Sequence, residues 1–116
     1  TVAPGSWSGE VWDDVNRMRT LNTTQSRRRA QMHVCPLQID IVERIIGDRS
    51  SEGELVYDPF GGLMTVPVTA VKMKRRGYGV ELNPDYFRDG IGYLQAAEDE
   101  VDEPTLFDFM EMQEAE

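Results

Sequence analysis

The feature that most constrains this chain is the run Leu55-Val56-Tyr57-Asp58-Pro59-Phe60-Gly61-Gly62-Leu63-Met64-Thr65, where an apolar stretch stops at an acid, a proline and two glycines. Leu, Val and Tyr favour a buried, pleated position, so Leu55 to Asp58 reads as a strand. Gly61 and Gly62 allow a sharp turn with no Cβ in the way of a ligand. A helix follows, and its first N–H groups are available to a carboxylate or phosphate. A second apolar segment, Tyr78-Gly79-Val80-Glu81-Leu82, ends near Glu81, whose two oxygens suit a diol. Strand, glycine turn, helix, strand and acid form half of a nucleotide-type site in an α/β fold.

Asp58-Pro59-Phe60-Gly61 followed by Thr65, with Glu81 closing the next strand, resembles the S-adenosylmethionine site of DNA amino-methyltransferases, which modify adenine N6 or cytosine N4. The preceding His33-Val34-Cys35-Pro36-Leu37 resembles the segment that a permuted, beta-type class of phage and bacterial enzymes places just before that motif. The resemblance covers His33 to about Ala97 and implies a partial, truncated Rossmann-like methyltransferase fold of parallel strands with flanking helices. It further implies a leader over residues 1–32, a cofactor-binding domain over 33–97 and an acidic tail over 98–116.

The resemblance also assigns roles. Asp58 is expected to accept from the ammonium of the methionine moiety, Gly61 and Gly62 to admit it, and Thr65 with its neighbouring N–H groups to hold the carboxylate. Glu81 is expected on the ribose hydroxyls and Phe60 near the adenosine, while His33, Cys35, Pro36 and Leu37 line the methionine end. Pro59, Leu82 and Asn83 complete the candidate cofactor-binding set. No catalytic or metal-binding residue is assigned. The family pattern Phe-x-Gly-x-Gly is broken here, because Met64 stands where the second glycine is expected and would narrow the pocket.

No Asp/Asn/Ser-Pro-Pro-Tyr loop precedes His33, so the chain reads as the cofactor-binding part of a DNA methyltransferase of restriction-modification type. The catalytic half is expected elsewhere, adenine N6 is preferred over cytosine N4, and this chain alone is expected to be inactive. Asn83-Pro84-Asp85-Tyr86 mimics such a loop, but Asn at a helix cap and Pro at the first helical position explain it better. The alternative function is a non-catalytic Rossmann-like scaffold or protein-interaction module. A methyltransferase acting on RNA or protein also stays open, whereas the lack of Gly-x-Gly-x-x-Gly disfavours an oxidoreductase.

Around this centre, Leu37, Ile41, Val42, Ile45 and Ile46 predict a helix from Pro36 to Gly47. Thr65 is expected to cap a helix running to about Arg76, with Val68 and Val71 inward, Gly77 as its end and the basic residues Lys72, Lys74, Arg75 and Arg76 as solvated charge. The second strand is expected over Gly79 to Leu82, parallel to the first. A helix from Pro84 to Ala97 is expected to bury Phe87, Ile91 and Leu94.

The net charge is −9, yet Glu98 to Glu116 holds nine acids and no base, leaving the remainder with 12 of each sign. Arg17, Arg19, Arg27, Arg28 and Arg29 therefore form either a solvated arm or an approach to phosphates. Trp7 and Trp12 read as docking on this domain or its missing half, with base stacking as the sharper alternative. The apolar island Pro104 to Met110 in the tail reads as an edge strand or as a partner-docking peptide. The single cysteine excludes an internal disulfide framework, His33 is the only histidine, and no apolar run is long enough to span a bilayer. A cytoplasmic protein is expected, without a membrane, with DNA and the catalytic half as partners and self-association through an open sheet edge.

Overall fold

The computed structural model describes residues 9, 11–21, 37–103 and 106–114. In chain order the elements are α1 (Ile39–Arg49), β1 (Leu55–Asp58), α2 (Thr65–Lys72), β2 (Arg76–Gly79), α3 (Pro84–Asp102) and α4 (Leu106–Glu114). The two strands pair in parallel, Leu55 opposite Arg76 and Asp58 opposite Gly79. The fold is thus α/β with parallel strands and flanking helices, and it is small.

Helix α2 organises the interior. It packs on both strands and lies between α1 and α3. On one flank Ala70 meets Val42 and Ile46 of α1, joined by Val56, Val66 and Met73. On the other, Met64 and Val68 meet Ala97 of α3, joined by Leu21, Val71, Tyr93 and Leu94. The opposite sheet face carries Leu55, Tyr57 and Tyr78 exposed, with the two tyrosine rings 5.4 Å apart.

Helix α2 stops at Lys72 rather than near Arg76, and Gly77 does not end it. Lys74 adopts the left-handed conformation at φ 64°. Arg75 N–H then donates to Ala70 O at 2.8 Å and Lys74 N–H to Val71 O at 3.0 Å, a Schellman closure without a glycine. The chain leaves that closure at Arg75, so β2 starts at Arg76, three residues before the expected start at Gly79. Gly77 sits inside β2 because a Cβ there would stand 2.5 Å from Pro67 O, where strand and helix backbone come together.

Two of the basic residues that follow α2, Arg75 and Arg76, are bonded to the chain instead of being only solvated charge. Arg75 donates from Nη2 to Ser50 O at 2.7 Å and from Nε to Ser50 Oγ at 3.0 Å, tying the end of α1 to the start of β2. Arg76 Nε donates to Gly53 O, and Lys72 pairs with Glu100 at 3.6 Å.

The first helix runs over Ile39–Arg49, later than expected, and buries Val42, Arg44 and Ile46 while Ile45 is exposed. Arg44 is buried because it is partnered: its Nη1 donates to Asp14 at 2.7 Å and its guanidinium lies over the Trp12 ring. Trp12 therefore docks on this domain; Trp7, and Arg27 to Arg29, lie outside the described residues. Arg19 is committed as well, with bonds to Asp40 at 2.9 Å and Glu43 at 2.7 Å. Its side chain is half-exposed, but these two ion pairs tie it to α1 and it is not a free arm. The Asn16 N–H, followed by Arg19, holds the Asp40 carboxyl below its ordinary range.

Helix α3 continues to Asp102, and Phe87 and Ile91 are exposed, against expectation. Its inward face instead runs through Gly90, Tyr93, Leu94 and Ala97. Gly90 shifts the face, since only a residue without Cβ lets α3 approach the Leu63 backbone so closely. Burial raises the Tyr93 phenol above its ordinary value, helped by Asp89. Residues 106–110 of the tail island lie in helix α4 and form no edge strand; Pro104 and Thr105 lie outside the described residues. No helix among the described residues is long and apolar enough to cross a membrane.

Candidate functional site

The strand β1 ends where its last side chain folds back on the turn: Phe60 N–H donates to Asp58 Oδ1 at 2.9 Å. Such an Asx turn is a bond between near neighbours in the chain. The chain then meets the continuation of β2. Val80 N–H donates to Asp58 O at 3.1 Å and Gly61 N–H to Val80 O at 2.7 Å. Met64 N–H donates to Gly61 O at 2.8 Å, closing the turn on itself.

Glu81 lies two residues beyond the end of β2 instead of within it. One of its oxygens accepts from Gly62 N–H at 3.0 Å, and the other from Asn83 N–H at 3.0 Å. A single carboxylate thereby joins the glycine turn to the start of α3. Asn83 caps that helix, its Oδ1 accepting from Asp85 N–H at 2.9 Å and Tyr86 N–H at 3.2 Å, with Pro84 as the first helical residue. The helix-start reading of Asn-Pro-Asp-Tyr is correct. An ionised carboxylate offers about four lone-pair sites, so each Glu81 oxygen retains acceptor capacity beyond these bonds.

The structure therefore brings together Asp58, Pro59, Phe60, Gly61, Gly62, Glu81, Leu82 and Asn83 at the ends of the two strands. Phe60 and Leu82 are 87% and 95% exposed, leaving apolar surface on the rim of the turn. Leu37 is exposed just ahead of α1, and His33, Cys35 and Pro36 lie outside the described residues. Thr65 is the first helical residue and is buried; the N-cap is Met64, with no side-chain hydrogen bond. The expected threonine cap is absent because Met64 takes a left-handed conformation at φ 67° and turns the backbone directly into α2.

The two glycines have internal work. Both of their N–H groups donate to the chain that leaves β2, Gly61 to Val80 O and Gly62 to Glu81, and Gly62 has φ 57°. At Gly61 an added Cβ would stand 2.6 Å from Met64 Sδ, so this glycine makes room for the methionine. The Met64 side chain is itself 1% exposed and points into the protein. This inward packing was not visible in the sequence, although Gly79 and Gly90, glycines inside a strand and a helix, were its signal. Among the described residues no group of three or more His, Cys, Asp or Glu could hold a metal ion.

The family described as DNA methylase, N6_N4_Mtase, matches residues 1–92. The chain is 32% identical over 89 residues to the DNA adenine methyltransferase YhdJ of Escherichia coli (strain K12), covering 77% of this chain and 28% of that protein. It is also 32% identical over 82 residues to the type II methyltransferase M1.MboII of Moraxella bovis, covering 71% and 31%. Among solved structures, a Thermus thermophilus protein provisionally assigned as a DNA modification methylase superposes with a TM-score of 0.51 at 27% identity, covering 71% of this chain and 36% of that one. The chain thus spans less than a third of the length of these two curated relatives.

Proposed function

The chain belongs to the DNA methylase family, and on that premise we propose that it forms the S-adenosylmethionine-binding part of an enzyme that methylates an exocyclic amine of DNA, adenine N6 in preference to cytosine N4. The observation that carries the proposal is Glu81, whose carboxylate fastens the glycine turn after β1 to the chain leaving β2. Two strand ends and an acid converge there as a nucleoside-type ligand requires. The adenine preference is supported by the relative named a DNA adenine methyltransferase.

The residues suit the cofactor by their chemistry. Asp58 uses Oδ1 within its own turn, and its carboxylate is proposed to accept from the cofactor ammonium. Glu81 has acceptor capacity for a ribose diol, and the exposed Phe60 ring offers a face for the adenine. His33, Cys35, Pro36 and Leu37 are proposed at the methionine end, with Thr65 and the start of α2 toward the carboxylate. The bound cofactor supplies an electrophilic methyl group on a sulfonium; this chain's residues orient it and exclude alternatives by position.

The 116 residues hold no Pro-Pro-Tyr sequence. We therefore assign the pocket for a flipped base to a part of the enzyme outside them, and this chain alone binds cofactor without transferring the methyl group. The remaining part is proposed to cover the sheet face that carries Leu55, Tyr57 and Tyr78. Calorimetric titration with S-adenosylmethionine, run on the wild type and on Glu81→Ala, tests the reading. Saturable binding by the wild type and its loss in a folded variant are expected. No binding by the folded wild type overturns the proposal and favours a non-catalytic scaffold.

A further inference from the structure

Met64 combines two features that seldom coincide: a left-handed backbone at φ 67° and a side chain that is 1% exposed. L-residues avoid that backbone because Cβ crowds the following carbonyl, so something must hold the methionine there. The holding surface consists of glycines from three different elements. A Cβ added to Gly61 in the turn would stand 2.6 Å from Met64 Sδ, one on Gly79 of β2 would stand 2.5 Å from the same sulfur, and one on Gly90 of α3 would stand 2.6 Å from Met64 Cγ. Methionine fits such a slot because its side chain is unbranched and flexible.

The slot lies directly beneath the ligand-side bonds. Met64 N–H donates to Gly61 O, Gly61 N–H to Val80 O, and Gly62 N–H to Glu81. Any movement of Met64 is therefore passed to Gly62 and Glu81 through the turn. Gly90 would be costly in a helix interior were there no close neighbour to accommodate.

We infer that Met64 is a positioning residue, a plug in a slot of three glycines that holds the Gly61-Gly62 turn and Glu81 in one arrangement, so that it orders the proposed site from beneath instead of obstructing it. The ordering of the turn stands by itself; its benefit to ligand binding rests on the cofactor reading given above. An ordered turn does not have to be ordered again when ligand binds.

The test uses the full chain and two variants, Met64→Gly, which removes the plug, and Gly90→Ala, which crowds the plug and the adjoining Leu63 backbone from the helix side without changing a residue of the turn. Amide hydrogen exchange is read at Gly62 and, as an internal reference, at Val68 in the core of α2. Exchange at Gly62 rising about tenfold relative to Val68 in both variants is expected, since general destabilisation would raise the two together. Unchanged relative exchange at Gly62 in folded Met64→Gly overturns the inference. Should that variant fail to fold by circular dichroism, the same readout on Gly90→Ala decides. Titration with S-adenosylhomocysteine separates the two proposals. Binding about tenfold weaker in the variants supports both. Tighter binding by Met64→Gly overturns the positioning role, because it identifies Met64 as an obstruction. Wild-type protein that protects Gly62 but binds no ligand overturns only the cofactor reading.

Discussion

Substituting one methyl group at two glycines should change stability in opposite directions, and the sign at each depends on the tertiary structure alone. At Gly77 in β2 an added Cβ would meet Pro67 O at 2.5 Å, Pro67 Cα at 2.8 Å and Pro67 C at 2.9 Å. All three are backbone atoms of helix α2, so no rotamer change relieves them. The strand and helix must separate by about 1 Å to restore ordinary contact, which forfeits a quarter to a half of the dispersion energy along the seam. Overpacking of this kind costs about 3 kcal/mol, and the lower entropy of the unfolded Ala chain offsets about 0.5 to 1 of that. Gly77→Ala is therefore expected to lose about 2 kcal/mol, lowering the unfolding midpoint by about 10 °C in a domain this small. At Gly92 in α3 an added Cβ meets nothing within 4 Å, so Gly92→Ala should gain about 1 kcal/mol from helix propensity. Urea unfolding followed by far-UV circular dichroism measures both, with equal m-values required for the comparison. A Gly77→Ala protein as stable as wild type would refute the close approach of β2 to α2 and, with it, the fold that places the glycine turn.

Lys74→Gly should stabilise the chain by about 1 kcal/mol, because Lys74 holds the left-handed closing position of α2 at φ 64° and Gly adopts it without strain; a loss in the same urea assay would contradict the assigned helix end. The folded state lowers the Asp40 pKa, so this group's contribution is present above its unfolded value of about 3.9 and is lost as pH falls through the lower folded value. Acid titration of Trp12 fluorescence in a Trp7→Phe background should therefore show segment 11–21 loosening on α1 below about pH 4, and Asp40→Asn should loosen it in part already at neutral pH, where Arg44 and Glu43 still hold it; identical profiles for the two proteins would exclude the Asp40 tether.

Near the proposed site, the legible residues were those whose chemistry acts on their own neighbours in the chain. Asn83 caps its own helix as expected, a role fixed by local geometry, and the Asp58 bond to Phe60, two residues away, is of the same local kind. The strand Leu55–Asp58 had matching local signals and appears with the expected bounds. The end of α2 was misplaced because a lysine there does what glycine usually does, and the preference for Gly at that position is only statistical. With that end moved, β2 moved too. The buried face of α3 was misassigned because helical spacing offers several stripes, and the close approach at Gly90 selects one of them.

What the sequence by itself determined is the order of the parts: strand, acid, glycine turn, helix, strand, acid and capped helix, since each is announced by residue types within a few positions of one another in the chain. The tertiary structure alone decided what those parts do to one another. It commits both Glu81 oxygens to backbone N–H groups, seals Arg44 between Asp14 and Trp12, and turns Met64 into a slot whose walls come from the turn, β2 and α3. A glycine in a sequence records only the absence of a Cβ. Which atom needs the vacated space becomes known when a distant segment is packed against it.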